Sequence, residues 1–393
     1  MDVFLDFEHN PLQFSRPVAL ISCYEPAYLV NAFTEIEKAL ENGFYVAGFL
    51  SYEAGYCFEE RLEKKNRYDF PLLMMGVYQQ PVSRRPSLVK SGGFKVDDFR
   101  LNVTRETYGS HIDIIRGHIE RGDVYQITYC VKFHFNFSGN HLALYRELLR
   151  RQPVLYPAYI KADKFTIISL SPERFIKKKS DYMLTEPMKG TWPRGSNLVS
   201  DLAGRFCFWK DVKNRAENLM ICDLLRNDAG RIGKSIRVPK LFTVAQYKTL
   251  YQMTSTVTAQ VSPRIGMYKL FSALFPSGSV TGAPKIRAME IIRGLENEER
   301  KIYTGAIGYI SPDRDLYFNI PIRTILVSGE SAEMGVGGGI VWDSTAQGEW
   351  EEGLLKARFL TGLSEKQYLP SPASGRQVIF PRQVETHSSA SLR

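Results

Sequence analysis

The chain has 393 residues, 44% of them hydrophobic, enough to bury a sizeable core as one large domain or two ordinary ones. No stretch approaches the roughly 18 uninterrupted apolar residues of a membrane span, and Met1-Asp-Val-Phe-Leu-Asp-Phe-Glu-His9 lacks the basic start of a secretion signal, so a cytoplasmic protein is expected. The net charge of +9 arises from 51 basic residues interleaved with 42 acidic ones, which disfavours nucleic-acid binding and suits a small anionic substrate. Five widely spaced cysteines with no Cys-x-x-Cys pair read as reduced core thiols rather than zinc ligands.

Residues 1 to about 90 mix strand-like runs, such as 45–52, with one amphipathic stretch at 26–41, and a loop is predicted around 82–87. A helix is expected over 105–121, stopping at Gly122-Asp123, then a strand over 124–133 and a short helix ending near Arg151. Strands follow at 158–161, 165–170 and 174–178. Helical periodicity returns from 210 to 227 through Ala216, Met220 and Leu224, and again at 266–275 and 284–295. The last third reads as strands at 304–310, 316–327 and 332–342, followed by a helix over 346–363. From Ser364 onward the composition predicts a flexible tail.

Chemistry concentrates in a few of these segments. Lys189, in Thr185-Glu-Pro-Met-Lys-Gly-Thr-Trp-Pro-Arg-Gly195, lies between a strand-like run and a turn, and Ser171-Pro-Glu-Arg-Phe175 puts Glu173 at the end of another apolar run. A lysine attacks carbon as the free amine and needs an acid for the leaving group, so the two form a candidate pair; solvent-exposed side chains are the simpler alternative. In the last helix, Glu349, Glu352 and Lys356 share a face, either as a solvated salt-bridged surface or as ligands of one Mg²⁺ together with Glu217 of another helix. Two glycine-rich segments complete the set. Pro276-Ser-Gly-Ser-Val-Thr-Gly-Ala-Pro-Lys285 precedes a helix and offers N–H groups to an anion, and Met334-Gly-Val-Gly-Gly-Gly-Ile-Val341 lets a strand approach a ligand closely or marks a tight crossing.

In this order, Gly-Asp-Val-Tyr-Gln, Ser-Pro-Glu-Arg-Phe, Lys-Gly-Thr-Trp-Pro-Arg-Gly, Arg-Ala-Glu-Asn-Leu-Met-Ile-Cys-Asp-Leu-Leu-Arg-Asn-Asp, Thr-Gly-Ala-Pro-Lys and Gly-Gly-Gly-Ile-Val resemble the chorismate-utilising enzymes. The resemblance runs from about Gly48 to Lys356 and is strongest to the component I group of aminodeoxychorismate synthases. It implies a single catalytic α/β domain over 1–363, with residues 1–90 its less typical part, in which two packed antiparallel sheets are flanked by helices and the site lies in the cleft between them. It implies Mg²⁺ on Glu217 and Glu352 with Glu349 in support, and substrate contacts from Gln126, Thr281, Gly282, Tyr303, Arg323, Gly338, Gly339 and Lys356. Lys189 stands where anthranilate synthases carry alanine, and Gln126 where isochorismate and salicylate synthases carry a lysine that activates water. The implied reaction is amination of chorismate through a lysine adduct with Glu173 as acid and then base, using ammonia from a separate glutamine amidotransferase subunit; no cysteine, histidine and glutamate set for such a domain reads in the sequence. Gln252 replaces a histidine frequent in relatives, and Asn214 an acid. Without a Leu-Leu-Glu-Ser element, feedback by tryptophan is not expected.

Overall fold

Strand-forming sequence dominates the chain and sorts into two antiparallel sheets. The computed structural model describes residues 1–62, 64–83, 92–246 and 250–363; the predicted tail after Ser364 and most of the expected 82–87 loop lie outside them. In the first sheet the long strand Gln126–Gly139 pairs along its length with Ser331–Ile340. Outward from Ser331–Ile340 come Thr324–Ser328, Thr166–Ser171 and Tyr156–Lys161, and the hairpin Asp2–Phe7 and Asn10–Phe14 closes the far side. The second sheet begins with Met188–Pro193 beside Leu250–Val261 and runs through Tyr182–Glu186, Arg174–Lys179, Leu316–Asn319, Ala306–Ile310, Tyr45–Leu50 and Leu73–Tyr78 to Ala19–Cys23.

Apolar alternation explains the layering. Val3, Leu5, Phe7 and Phe14 of the first sheet meet Phe49, Met74, Ile307 and Tyr317 of the second in one buried cluster that cements the two. Each aromatic or aliphatic side chain so buried contributes roughly 1.5–3 kcal/mol relative to exposure. A second cluster lies between the first sheet and the helices Arg105–Glu120, His141–Arg151, Lys285–Leu295 and Ala346–Thr361, and a third carries Leu29–Glu41 and Met267–Leu274 on the second sheet. Local signals set the helix ends. The Thr104 hydroxyl accepts from the Thr107 N–H at 3.2 Å to start one helix, and Thr345 caps the last one in the same way.

Two of the crossings between the sheets adjoin each other. At Ser171-Pro-Glu173 the chain leaves the first sheet for the second, and at Ile320-Pro-Ile-Arg323 it returns. The strand expected over 316–327 is therefore two strands in different sheets. Pro321 has no N–H for a ladder, and Arg323 takes a left-handed φ of 52°, which costs a residue with a side chain on the order of 1 kcal/mol. The crossings are stitched together: the Ile320 N–H donates to the Glu173 carbonyl at 3.0 Å, the Leu170 N–H to the Arg323 carbonyl at 3.1 Å, and the Ser171 hydroxyl to the Ile320 carbonyl.

The helix expected over 210–227 spans Val212–Gly230 and is preceded by a helix that periodicity did not reveal, Leu198–Lys210. Asp211, in an extended conformation, separates them and accepts from the Asn214 N–H at 2.8 Å. The strands Gly233–Gln246 and Leu250–Val261 were also not expected. The first has several register shifts and is exposed along much of its length, so it lacks the clean alternation that marks a strand.

Candidate active site

The two crossings and the edge strand converge. Glu173, almost fully buried at its crossing, accepts a hydrogen bond at 2.7 Å from the Ser279 hydroxyl, and the Lys189 ammonium donates to the Ser279 carbonyl at 3.0 Å. Lys189 lies inside the strand Met188–Pro193 rather than at a turn after it, where a register shift between Lys189 and Thr191 breaks the ladder. Next to it, Gly190 has a φ of 78°, and a Cβ there would collide with the Asn214 side chain.

Burial moves both groups toward their neutral forms. It raises Glu173 to about 7, against the Ser279 hydrogen bond and the Lys189 charge, which lower it. It lowers Lys189, against the charges of Glu217 and Glu173, which raise it. Desolvation is the largest cause in both cases, so the two groups that meet at Ser279 are moved toward amine and carboxylic acid.

Gln126 opens its strand at 0% exposure, and neither of its amide atoms has a protein partner. A Cβ on Gly339 would collide with the Gln126 amide and stand 3.4 Å from Lys189 Nζ. The glycine thus leaves room where these two side chains meet. One residue earlier, a Cβ on Gly338 would lie 2.8 Å from Glu349 Oε2, 3.7 Å from Lys356 Nζ and 3.9 Å from Glu352 Oε1. The glycine run thus adjoins both groups, the lysine and glutamine on the face of Gly339 and the carboxylates on the opposite face at Gly338.

Those carboxylates differ in state. Glu349 is raised by burial and by the neighbouring Glu352, although the Ser344 hydroxyl donates to it at 2.6 Å. Glu217 is raised by burial, with Lys189 and Lys213 opposing. Glu352 is lowered by the Lys356 ammonium, 2.7 Å away, which also donates to the Gly337 carbonyl at 2.8 Å. Among the described residues no three acidic, cysteine or histidine side chains are drawn together as a metal site. Oxygen donors facing a floor without side chains match an ion that keeps water and substrate among its ligands, as Mg²⁺ does.

Of the remaining expected residues, Thr281 and Gly282 adjoin the strand that Gln126 opens. Thr281 is fully buried, its hydroxyl donating to the Ser277 carbonyl at 3.0 Å, and its own carbonyl accepts from the Thr128 N–H at 2.7 Å. A Cβ on Gly282 would strike the Gln126 carbonyl and stand 2.8 Å from the Ala288 Cβ. Tyr303 is buried with its ring beneath Gly335, and Arg323 is half-buried at the second crossing.

Sequence reasoning missed Ser279, although it lay in the glycine-rich segment read for its backbone alone. It also missed Arg300, whose guanidinium donates to the carbonyls of Val280 at 2.8 Å and Thr128 at 2.6 Å while paired with Glu296. Glu53 supports the same place, accepting from the N–H groups of Arg300 at 2.7 Å and Lys301 at 3.0 Å. Removing one member of so buried an ion pair costs roughly 3–5 kcal/mol, and the clamp holds the backbone at Val280, between Ser279 and Thr281.

Comparison with known proteins supplies a context. The chain is 37% identical over 271 residues to aminodeoxychorismate synthase component 1 of Escherichia coli, covering 68% of this chain and 60% of that protein. It is 39% identical over 256 residues to the protein of that name from Klebsiella aerogenes, covering 65% and 57%. Anthranilate synthase component 1 of Aquifex aeolicus is 36% identical over 265 residues, covering 67% and 54%. The chain therefore spans little more than half of these relatives. Among solved structures it superposes on anthranilate synthase component I of Streptococcus pneumoniae with a TM-score of 0.73 at 24% identity, covering 91% of this chain and 89% of that one. The menaquinone-specific isochorismate synthase of Escherichia coli gives 0.72 at 15% identity, covering 92% and 87%. Both likenesses establish the fold. With the chorismate binding enzyme profile matching residues 13–362, the chain belongs to the chorismate binding enzyme family.

Proposed function

We propose that the chain is the synthase component of an aminodeoxychorismate synthase, aminating chorismate at C4 with ammonia from a glutamine amidotransferase partner. The observation that carries this reading is the pair of half-buried Lys189 and buried Glu173, joined through Ser279 and shifted toward amine and acid. In the first step the Lys189 nitrogen bonds to C2 of chorismate, the ring double bonds shift, and the C4–oxygen bond breaks as the Glu173 acid gives its proton to the departing hydroxyl, releasing water. In the second, ammonia bonds to C4 and the C2–lysine bond breaks, while the Glu173 carboxylate takes a proton from the incoming nitrogen. The product is 4-amino-4-deoxychorismate, and Lys189 and Glu173 are regenerated.

Gln126 favours ammonia as the incoming nucleophile, because a neutral amide cannot deprotonate water at that position. Glu217, Glu349 and Glu352 would hold Mg²⁺, which when bound neutralises the ring carboxylate. Lys356 keeps Glu352 ionised and oriented toward Gly338. Arg323 and Tyr303 are assigned to the enolpyruvyl carboxylate, for which a guanidinium supplies two parallel donors.

The purified chain, incubated with chorismate, Mg²⁺ and an ammonium salt, is expected to yield 4-amino-4-deoxychorismate on chromatography. Anthranilate fluorescence without an added lyase would contradict the reading.

A further inference from the structure

Helix Leu198–Lys210 turns an apolar face to the outside. Phe208 and Asp201 point inward: Phe208 stacks on Trp192 with ring centroids 5.8 Å apart, and Asp201 takes hydrogen bonds from Arg194 at 2.8 and 2.6 Å and from the Tyr251 hydroxyl at 2.7 Å. Leu198, 74% exposed, then Leu202, Phe206 and Trp209 follow at helical spacing on a solvent-facing side, and Val212, 82% exposed, extends the exposed apolar residues onto the next helix. Contiguous apolar surface of this kind on a soluble chain marks an interaction site.

Its margin is cationic. Lys210 lies 4.6 Å from the Phe206 ring centroid, and Arg215 lies 5.5 Å from that of Trp209 and 4.5 Å from that of Phe242. The nearby acids are engaged elsewhere: Asp201 holds Arg194, and Asp211 caps the following helix. A two-fold contact with a second copy would set Lys210 and Arg215 against themselves, whereas a partner with an acidic rim around an apolar centre would satisfy both. The inner side of the same helix rests on the strand that carries Lys189: a Cβ on Gly204 would stand 3.1 Å from Trp192 Nε1, and Trp192 lies about 10 Å along the strand from Lys189. The next helix carries Glu217, whose charge acts on Lys189. A protein seated here stands over the wall of the amination site.

We propose that the outward stripe Leu198, Leu202, Phe206, Trp209 and Val212 is the docking surface for the ammonia-supplying amidotransferase, which meets it with apolar residues rimmed by carboxylates. This rests on the proposed amination of chorismate. The test uses the full chain, its purified glutamine amidotransferase subunit, a Phe206→Glu/Trp209→Glu variant and, independently, Leu202→Asp. Affinity is measured by calorimetry, oligomeric state by light scattering, and turnover with either ammonium or glutamine. Both variants are expected to keep the ammonium-driven rate, to bind the amidotransferase about thirtyfold or more weakly, and to lose the glutamine-driven rate at limiting partner. Unchanged affinity would overturn the proposal, as would a wild-type homodimer that the variants dissociate, or an ammonium-driven rate that falls with the glutamine-driven one in both variants. A wild-type chain inactive with ammonium would instead refute the functional reading, and the affinities would still decide the surface.

Discussion

The two ends of the site are built from different material. Lys189 and Glu173 stand on a strand and at a strand crossing, held by pairing on neighbouring segments and by Ser279, and burial drives both toward neutrality. Glu217, Glu349, Glu352 and Lys356 project from two helices; burial raises Glu217 and Glu349, whereas the Lys356 ammonium holds Glu352 down. The contrast separates two tasks. In the proposed reaction the attacking amine and its acid are fixed by strands and a strand crossing, whereas the groups proposed to hold the ion stand on helices.

That division can be broken from either side. Lys189→Ala is expected to cost the largest factor, on the order of 10³-fold or more in turnover with ammonium, because it removes the attacking nitrogen; a steady-state assay with unchanged chorismate binding checks it. Glu173→Gln keeps the hydrogen-bonding shape but cannot give or take the proton, and should lower turnover roughly 10²–10⁴-fold. On the helices the effect is smaller and of another kind. Glu349→Gln should raise the Mg²⁺ concentration needed for half-maximal rate by about 10–100-fold while leaving the rate at saturating Mg²⁺ largely restored; a magnesium titration distinguishes this from a chemical defect.

The smallest effect reverses sign between function and stability. Glu173 titrates at about 7 in the folded chain against an ordinary 4.5, so between these values the folded state holds a proton that the unfolded state has released. Its contribution to stability is therefore fully present below pH 4.5 and is lost as the pH rises through 7. Glu173→Gln should be more stable than the wild type at pH 8 by about 1–3 kcal/mol, and the difference should vanish near pH 4.5 in denaturant titrations. Equal stability at both pH values would show that Lys189 fully compensates the buried carboxylate.

The sequence pointed to the candidate site residues more readily than to the architecture around them. Lys189, Glu173, Gln126 and the glycine run were legible because reactive side chains and glycines stand out in short, specific blocks. Ser279 was not, since a serine in a Ser-Gly-Ser-Val-Thr run is more often a turn former than a bridge. Arg300 and Glu53 were hidden because, apart from the i,i+4 pair with Glu296, their partners are backbone carbonyls and N–H groups that no spacing rule encodes. Helix Leu198–Lys210 escaped the periodicity count because apolar residues occupy both of its faces, Phe208 inward and Phe206 outward. The strand expected over 316–327 reads as continuous apolar sequence even though its halves belong to different sheets, and only Pro321 marks the break.

The central claim is that Lys189 forms a bond to the substrate. Its most direct test is mass spectrometry of the enzyme trapped with chorismate and Mg²⁺ in the absence of ammonia. A substrate-derived mass increase is expected on the peptide containing Lys189, absent from Lys189→Ala. An enzyme that turns over with ammonium but never carries that adduct, with Lys189→Ala retaining the wild-type rate, would contradict it.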